Sequence, residues 1–247
     1  MNKKSVAIVI PTYNEKENIP FLIEEILKIP LNIKVLIIDD NSPDKTADIV
    51  RDKFINNPRV SVYVRRDKKG RGLAEIFGFR EALKTDAEII GEMDADFSHH
   101  PRFIPRMIEK IYNCDVVIGS RYIKEGRDIE RGILRKIISR LSHIYIRTIL
   151  GIKLSDPTSG FRFFRREVIE KIIDKLSAED PFIITEIIFY LKKYRFRISE
   201  VPIVFHQRMA GTSKLTPKIL FKYLFNILLL RTGLWKKRNI SGTHLFL

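Results

Sequence analysis

The stretch from Glu88 to Pro101 reads EIIGEMDADFSHHP and joins a short apolar run to two aspartates one residue apart. The apolar run, which ends at Met93, predicts a buried strand of a parallel sheet. Where the chain leaves that strand, Asp94 and Asp96 can both turn toward one divalent cation, because hard ions such as Mg²⁺ and Mn²⁺ prefer oxygen ligands. Two acids at a strand end more often form a solvated turn, so the pattern needs support from the rest of the chain.

Strands and helices alternate on both sides of this stretch. Before it, β-branched runs predict strands at 6–10, 35–38 and 60–64, and helical periodicity predicts helices at 18–29, 45–54 and 73–83. After it, the same criteria predict strands at 116–119, 161–164 and 198–205 and helices at 131–149, 167–176 and 181–194. Such alternation is typical of an α/β fold with a largely parallel sheet and right-handed crossovers.

Polar loops that carry acids follow three of the predicted strands. They span Pro11–Glu15, Asp39–Ser42 and Asp94–Asp96. Because ligands bind beyond the carboxyl ends of strands in such sheets, the loops predict one site for a ligand with hydrogen-bond donors and a metal. The first strand has no Gly-rich phosphate loop after it. This weighs against a dinucleotide-binding Rossmann protein, a P-loop enzyme and a nucleotidyltransferase.

The 247-residue chain carries a net charge of +15, which favours anionic partners. The charge is concentrated between Arg121 and Arg166, where twelve Lys or Arg residues accompany four acids. A solvated basic face would look the same. A nucleic-acid-binding protein is the alternative from a different class, but the sequence has neither zinc-ligand spacing nor a recognised aromatic RNA-binding motif. We therefore expect no nucleic-acid partner.

The C-terminal segment differs from the rest of the chain. Residues 219–235 are almost wholly apolar, with three polar interruptions, Lys222, Asn226 and Arg231. A bilayer-spanning helix needs roughly 20 apolar residues, so an interfacial amphipathic helix with its polar stripe toward water fits better. A helix packed on its own domain or on a partner is the alternative. The single cysteine, Cys114, and a first apolar run too short for a signal peptide predict the cytoplasmic side.

Six motifs, in order along the chain, resemble those of the inverting glycosyltransferases of family 2 with a GT-A fold. Within that family the resemblance is greatest to the synthases that mannosylate dolichyl phosphate. The motifs are Ile10–Glu15, Ile38–Ser42, Met93–Pro101, Gly119–Tyr122, Asp156–Arg162 and Glu200–Ile203 with Gly211–Leu215. The resemblance implies a Rossmann-like, nucleotide-sugar-binding domain with a mixed, mostly parallel sheet over residues 1–215. Residues 216–247 would form the C-terminal amphipathic helix and tail.

The same resemblance implies transfer of mannose from GDP-mannose to the phosphate of dolichol or another polyprenol, with inversion. The product would be a β-mannosyl phospholipid for glycan assembly. The enzyme would sit peripherally on the cytoplasmic face of a membrane, either directly on the membrane surface or through small membrane-anchoring subunits. UDP-glucose or another nucleotide sugar remains an alternative donor, because sugar choice depends on the shape of the pocket. A non-catalytic regulatory subunit is less compatible with intact metal-binding acids.

Site residues follow from the motif positions. The resemblance implies that Mg²⁺ or Mn²⁺ is held by Asp94 and Asp96, with Ser98 standing where some relatives carry Gln. The nucleotide sugar would be bound by Pro11, Tyr13, Glu15, Asp39, Asp40, Asp94, Ala95, Asp96, Arg208 and Lys214. The acceptor phosphate would be bound by Arg121, Arg135 and Ser139. The expected catalytic set is Asp94, Asp96, Arg121 and Arg208.

The chemistry of the acceptor explains why no catalytic base is assigned. A phosphate monoester has its second pKa near roughly 6 and is largely a dianion at neutral pH, so it needs orientation more than deprotonation. We expect His99 and His100 to shape the loop after the metal site. Arg135 and Ser139 are four positions apart on a predicted helix and share a face, so both can reach one phosphate. The loop that carries Arg208 and Lys214 would close over the donor diphosphate.

Overall fold

The computed structural model describes residues 4–129, 133–206 and 217–235, without the side chains of 133–137 and 217–220. Strands in the described residues are β1 (Val6–Thr12), β2 (Ile33–Asp39), β3 (Val60–Val64), β4 (Ile89–Glu92), β5 (Val116–Ser120), β6 (Arg127–Asp128), β7 (Arg162–Arg165), β8 (Ile198–Pro202) and β9 (Val204–Phe205). Helices are α1 (Ile19–Leu27), α2 (Thr46–Lys53), α3 (Arg71–Leu83), α4 (Ile104–Ile111), α5 (Ile133–Leu150), α6 (Arg166–Ile172), α7 (Ile183–Lys193) and α8 (Pro217–Thr232).

Seven strands form one sheet in the order β3-β2-β1-β4-β7-β5-β8. Only β7 runs antiparallel to its neighbours, β4 and β5, so the predicted mixed, mostly parallel sheet is confirmed. The chain moves outward from β1 through β2 to β3 and then returns by α3 to β4, on the other side of β1. Strand order therefore reverses between β1 and β4, and ligands of α/β sheets bind at such reversals.

Each face of the sheet supports its own apolar core because successive strand residues point to opposite faces. On one face, Val9 and Ile38 pack with Phe79 of α3 and with apolar residues of α5, α6 and α7. On the other face, Ile8 and Ile37 belong to a core that includes residues of α1 and α4. Helices thus cover both faces, and the carboxyl edge of the sheet is left for a site.

Two predicted elements differ from the structure. Helix α4 was not predicted, because prolines at 101 and 105 mark its beginning and resemble a loop in sequence, yet proline is tolerated in the first helical turn. The strand predicted at 198–205 is divided into β8 and β9. Ile203 donates its N–H to the carbonyl of Ser120 and accepts from the N–H of Arg127, so the chain passes there from the main sheet to the two-stranded sheet of β6 and β9.

The C-terminal helix α8 packs against α5 and α7. The predicted water-facing polar stripe is present only in part: Lys222 and Arg231 are exposed, but Asn226 is buried. Phe221, Phe225 and Leu228 are exposed as well. The burial of Asn226 turns the polar amide inward and leaves aromatic and aliphatic side chains on the outer face. Among the described residues, no helix combines the length and the apolar character that crossing a membrane requires.

Candidate functional site

An open cleft of about 150 Å³ lies at the reversal of strand order, where the ends of β1, β2 and β4 meet the beginning of α3. Ten residues line it: Pro11, Thr12, Tyr13, Glu15, Asp40, Arg71, Ala74, Asp94, Ala95 and Asp96. Seven of these ten were proposed from the sequence as ligands of the nucleotide sugar. The structure therefore brings together the three polar loops as parallel topology requires, and it adds Thr12, Arg71 and Ala74.

The paired aspartates have different surroundings within the cleft. The carboxylate of Asp94 accepts from Arg71 Nη2 at 2.6 Å, and His99 Nδ1 lies 3.7 Å from its other oxygen. Asp96 is almost fully buried, and its Oδ1 accepts from the backbone N–H of Ser98 at 3.1 Å. Phe97, which follows Asp96, has a φ of 59°, a left-handed conformation that turns the chain sharply. Asp94 is thus the more accessible of the two carboxylates.

The residues around this turn suit a hard divalent cation. Ser98 Oγ is buried and has no hydrogen-bond partner among the described residues, so an oxygen ligand is left unused beside Asp96. The described residues contain no group of three or more His, Cys, Asp or Glu side chains placed to hold a metal ion by themselves. Mg²⁺ is commonly held by only one or two carboxylates, with phosphate oxygens of the substrate and water completing the shell. Asp94 and Asp96, with Ser98 nearby, fit that pattern.

His99 is part of the framework of the loop. Its Nδ1 accepts from the backbone N–H of Asp94 at 3.5 Å, and its ring stacks on Phe161 with centroids 5.3 Å apart. Burial lowers the pKa of His99, against the opposing effect of Asp94 and Asp96. A neutral, stacked imidazole holds the backbone that carries the aspartates, which agrees with the role predicted for it.

The two acids at the end of β2, Asp39 and Asp40, already have partners within the protein. Asp39 is buried and accepts from the N–H of Ser42 at 2.8 Å and from the hydroxyl of Thr12 at 2.9 Å. Asp40 pairs with Arg65 and accepts from the N–H of Gly70 at 2.8 Å. Asp40 lines the cleft, whereas Asp39 does not. Both acids thus organise loops, and Asp40 does so from the wall of the cleft.

Glu15 and Tyr13 lie at the open side of the cleft. Glu15 Oε2 accepts from the side-chain amide of Asn18 at 3.0 Å. Tyr13 is half exposed, and Lys69 Nζ lies 4.5 Å from the centre of its ring. An accessible aromatic ring beside a cation offers a surface on which a planar base can stack.

A buried ionic cluster beneath the cleft was missed in the sequence. Arg162, fully buried on β7, pairs with Glu92 of β4 and with Glu75 Oε1 of α3 at 3.2 Å. Burial raises the pKa of Glu92, although the charge of Arg162 opposes this effect. Arg71 Nε lies 3.8 Å from Glu75 Oε2, so the cluster continues to the wall of the cleft and to Asp94. The one available signal was Glu92 itself, an acid within an otherwise apolar strand.

The proposed acceptor residues lie at the end of β5 and on α5. Arg121 is buried and makes a bidentate ion pair with Asp156, with Nε–Oδ2 at 2.6 Å and Nη2–Oδ1 at 2.7 Å. Burial raises the pKa of Asp156, but the hydrogen bonds and charge of Arg121 outweigh it and hold that pKa below its usual value. His143 Nε2 is 2.8 Å from Thr158 Oγ1, beside the same pair. Asp156 was part of a quoted motif but was not proposed as a site residue.

The remaining predicted residues are only partly described. Helix α5 contains both Arg135 and Ser139, as predicted, and Ser139 is half-buried. The side chain of Arg135 lies outside the described residues, as do Arg208 and Lys214 entirely. The structure thus brings seven of the predicted donor-binding residues together in the cleft, and neither Asp39 nor Arg121 is among the residues that line it.

The fold and the cleft together define an α/β protein with a ligand site at the reversal of strand order. Solved structures with the same fold include glucosyl-3-phosphoglycerate synthase from Mycobacterium tuberculosis, in complex with Mn²⁺, UDP and glucosyl-3-phosphoglycerate. That match has a TM-score of 0.69 at 18% identity and covers 93% of this chain and 80% of the other. The predicted GT-A fold is therefore confirmed.

Sequence relatives define the family. The family described as Glycosyl transferase family 2 matches residues 7–173. The chain is 35% identical over 223 residues to the undecaprenyl-phosphate mannosyltransferase of Micrococcus luteus, covering 90% of this chain and 92% of the relative. It is 32% identical to the polyprenol monophosphomannose synthase of Mycolicibacterium smegmatis, covering 89% and 84%. The chain belongs to glycosyltransferase family 2, as the motifs indicated.

Proposed function

We propose that this protein transfers mannose, with inversion, from GDP-mannose to the phosphate of dolichol or another polyprenol in a metal-dependent reaction. The observation that carries the proposal is the cleft lined by Asp94 and Asp96, in a chain that is 35% identical to an undecaprenyl-phosphate mannosyltransferase along 90% of its length. The donor leaves as a nucleoside diphosphate. A cleft that can gather positive charge on that diphosphate stabilises its departure.

The donor side consists of the cleft residues. Asp94 and Asp96, with Ser98 beside them, would hold Mg²⁺ or Mn²⁺, which supplies Lewis-acid stabilisation of the departing diphosphate when bound. Tyr13 presents its ring to the base, and Glu15 and Asp40 offer acceptors for base N–H groups or ribose hydroxyls. Pro11 and Ala95 belong to the wall of the cleft, and Asp39 holds the loop behind it through Ser42 and Thr12. Arg208 and Lys214 are proposed, from their sequence motif, to add cations to the diphosphate.

The acceptor side consists of Arg121, Arg135 and Ser139. Because Arg121 is already paired with Asp156, much of its charge is neutralised within the protein. We therefore assign the larger share of phosphate binding to Arg135, with the Ser139 hydroxyl one helical turn away. The acceptor dianion attacks without a protein base, so these residues orient its oxygen toward the sugar.

A lipid-linked acceptor agrees with exposed apolar residues on α5, the helix of Arg135 and Ser139, and on α8, which packs against it. We define the outer face by five exposed residues on two packed helices: Leu141 and Ile144 of α5, and Phe221, Phe225 and Leu228 of α8. Tyr145 on α5 donates its hydroxyl proton to the carbonyl of Leu224 on α8 at 3.2 Å, which ties the two helices together. We propose that the outer face contacts the cytoplasmic surface of a membrane. A small membrane-anchoring subunit could cover the same residues.

Purified protein is incubated with Mn²⁺, dolichyl or undecaprenyl phosphate, and labelled GDP-mannose or UDP-glucose, and label entering the organic phase is measured. Transfer from GDP-mannose alone, abolished by a chelator, is the expected result. Transfer from UDP-glucose alone would keep the mechanism and change the sugar. Absence of transfer from both donors, with membranes supplied as a source of partners, would refute the proposed activity.

A further inference from the structure

Arg71 lines the cleft and bonds to Asp94, a proposed metal ligand. It is the first residue of α3, and its Nη2 lies 2.6 Å from Asp94 Oδ1. About a quarter of its side chain is exposed to the cleft. A guanidinium at this position gives Asp94 a positive partner when no other cation is present.

The carboxylates around Arg71 favour its charged form. Burial alone would lower the pKa of Arg71, but the nearby carboxylates of Asp94, Glu75 and Glu92 raise it above its usual value. Arg71 Nε is buried and has no hydrogen-bond partner among the described residues. That Nε faces Glu75 Oε2 at 3.8 Å, away from the ligand space. A guanidinium carries five N–H donors, so Arg71, a quarter exposed, can bond to an anion in the cleft as well as to Asp94.

Gly160 makes the contact between Arg71 and Asp94 possible. A Cβ atom at position 160 would lie 2.7 Å from Arg71 Nη2 and 3.6 Å from Asp94 Oδ1. A side chain there would displace the end of Arg71 and leave the backbone undisturbed. The turn that carries Gly160 thus leaves room for the guanidinium to lie against the carboxylate.

We propose that Arg71 is a resident cation of the donor site, which neutralises Asp94 in the empty cleft and moves to a diphosphate oxygen of the nucleotide when a divalent cation takes that carboxylate. This inference rests on the proposed donor, a nucleoside diphosphate sugar. Arg71 and the divalent ion compete for Asp94 in the empty site. They act together once the diphosphate is present, because guanidinium and metal both bind phosphate oxygens.

The test uses the full-length protein and two binding measurements that do not depend on turnover. Binding of Mn²⁺ without nucleotide is followed by electron paramagnetic resonance, and binding of GDP with Mn²⁺ at saturation is followed by calorimetry. Arg71→Gln is expected to bind Mn²⁺ about tenfold more tightly, because a unit charge is removed from beside the ion in a partly solvated cleft. The same variant is expected to bind GDP about tenfold more weakly, because a charge-assisted hydrogen bond is lost.

Three further variants separate this role from a structural one. Arg71→Lys keeps the charge and should keep the weak Mn²⁺ binding of the wild type. Gly160→Ala displaces the guanidinium without removing it and should also tighten Mn²⁺ binding. It supplies the test should Arg71→Gln fail to fold. Arg80→Gln removes the same charge from the far end of α3, where Arg80 is exposed, and should change neither measurement.

Mn²⁺ affinity that does not rise in Arg71→Gln or Gly160→Ala, or GDP affinity that does not fall in Arg71→Gln, would overturn the inference. Either result can occur while the wild-type protein transfers mannose, and the proposed function then stands. Tighter Mn²⁺ binding and weaker GDP binding in Arg71→Gln, when the wild-type protein transfers no mannose, would support the role of Arg71 and refute the proposed donor sugar.

Discussion

Replacing Arg162 with Met tests the buried ionic cluster beneath the cleft. In the wild type, Arg162 is fully buried, pairs with Glu92 and Glu75, and donates from Nη1 to the carbonyl of Ile184 at 3.2 Å. Methionine fills part of the same volume but leaves both carboxylates in the core without their cation. Removing one partner of a buried ion pair costs about 3–5 kcal/mol, a large part of the roughly 5–15 kcal/mol that stabilises a typical domain.

The cost in Arg162→Met should depend on pH. Burial already raises the pKa of Glu92 in the presence of Arg162, and removal of that positive charge raises it further. The folded protein then holds a proton that the unfolded chain releases, so the free energy of unfolding falls as pH rises through the ordinary carboxylate range toward the raised folded pKa. Each additional proton held by the folded state corresponds to about 1.4 kcal/mol per pH unit.

The measurement is urea unfolding followed by circular dichroism at about pH 5 and about pH 8, a range in which a raised carboxyl pKa changes stability. We expect Arg162→Met to be destabilised much more at the higher pH. Arg165→Met is the matched control, because Arg165 lies on the same strand but donates to backbone carbonyls of Ile111, Tyr112 and Cys114. Its loss of stability should not change with pH. Equal destabilisation of Arg162→Met at both pH values, or less than about 1 kcal/mol at the higher one, would refute the reasoning.

Three further predictions concern the proposed site. Asp94→Ala should remove Mn²⁺ binding and mannosyl transfer without unfolding the protein, because a partly exposed metal ligand is lost. Titration with Mn²⁺ measures the binding, and thermal unfolding measures the stability. Arg135→Ala should raise the KM for lipid phosphate by about tenfold or more, since one charge-assisted hydrogen bond is worth about 1.5–3 kcal/mol; initial rates at varied acceptor check this. Phe225→Ser should weaken co-sedimentation with anionic vesicles several-fold, because an exposed apolar side chain is removed from the outer face.

Each of these three variants has a control elsewhere on the surface. Asp52→Asn removes an exposed acid of α2 and should leave Mn²⁺ binding intact. Arg140→Ala removes an exposed arginine of α5, five residues after Arg135, and should leave the KM for the acceptor nearly unchanged. Phe21→Ser removes a still more exposed ring, on α1, and should not affect vesicle binding. Activity of Asp94→Ala with added Mn²⁺, or identical behaviour of a variant and its control, would contradict the role assigned.

The strands illustrate what could be predicted from sequence. The β-branched run at 60–64 corresponds to β3 without change, and the run at 6–10 to the first five residues of β1. β1 is buried on both faces, which demands apolar residues along it, whereas β3 is a half-buried edge strand marked by its β-branched residues. Both signals are local. Helix α4 was missed for a local reason as well, since its two prolines are equally compatible with a turn and with a helical first turn.

The C-terminal helix shows where periodicity is insufficient. Polar residues at 222, 226 and 231 suggested one solvated stripe, yet Asn226 is buried and Phe225 is exposed. A buried amide is stable when it is hydrogen-bonded, and apolar side chains make up much of the surface of folded proteins. Which of these occurs depends on the neighbouring helices, which the sequence pattern of α8 does not specify.

By itself, the sequence determined the alternating α/β architecture, the family and the grouping of three polar loops, because parallel topology places the carboxyl ends of strands at one edge. Only the tertiary structure decided which charges pair. Glu92 and Arg162 stand opposite each other in the β4–β7 register although 70 residues separate them, and Arg71 reaches Asp94 only across the space left by Gly160. Ion pairs act over a few ångströms in space, and distances in space between remote residues are set by the folded sheet.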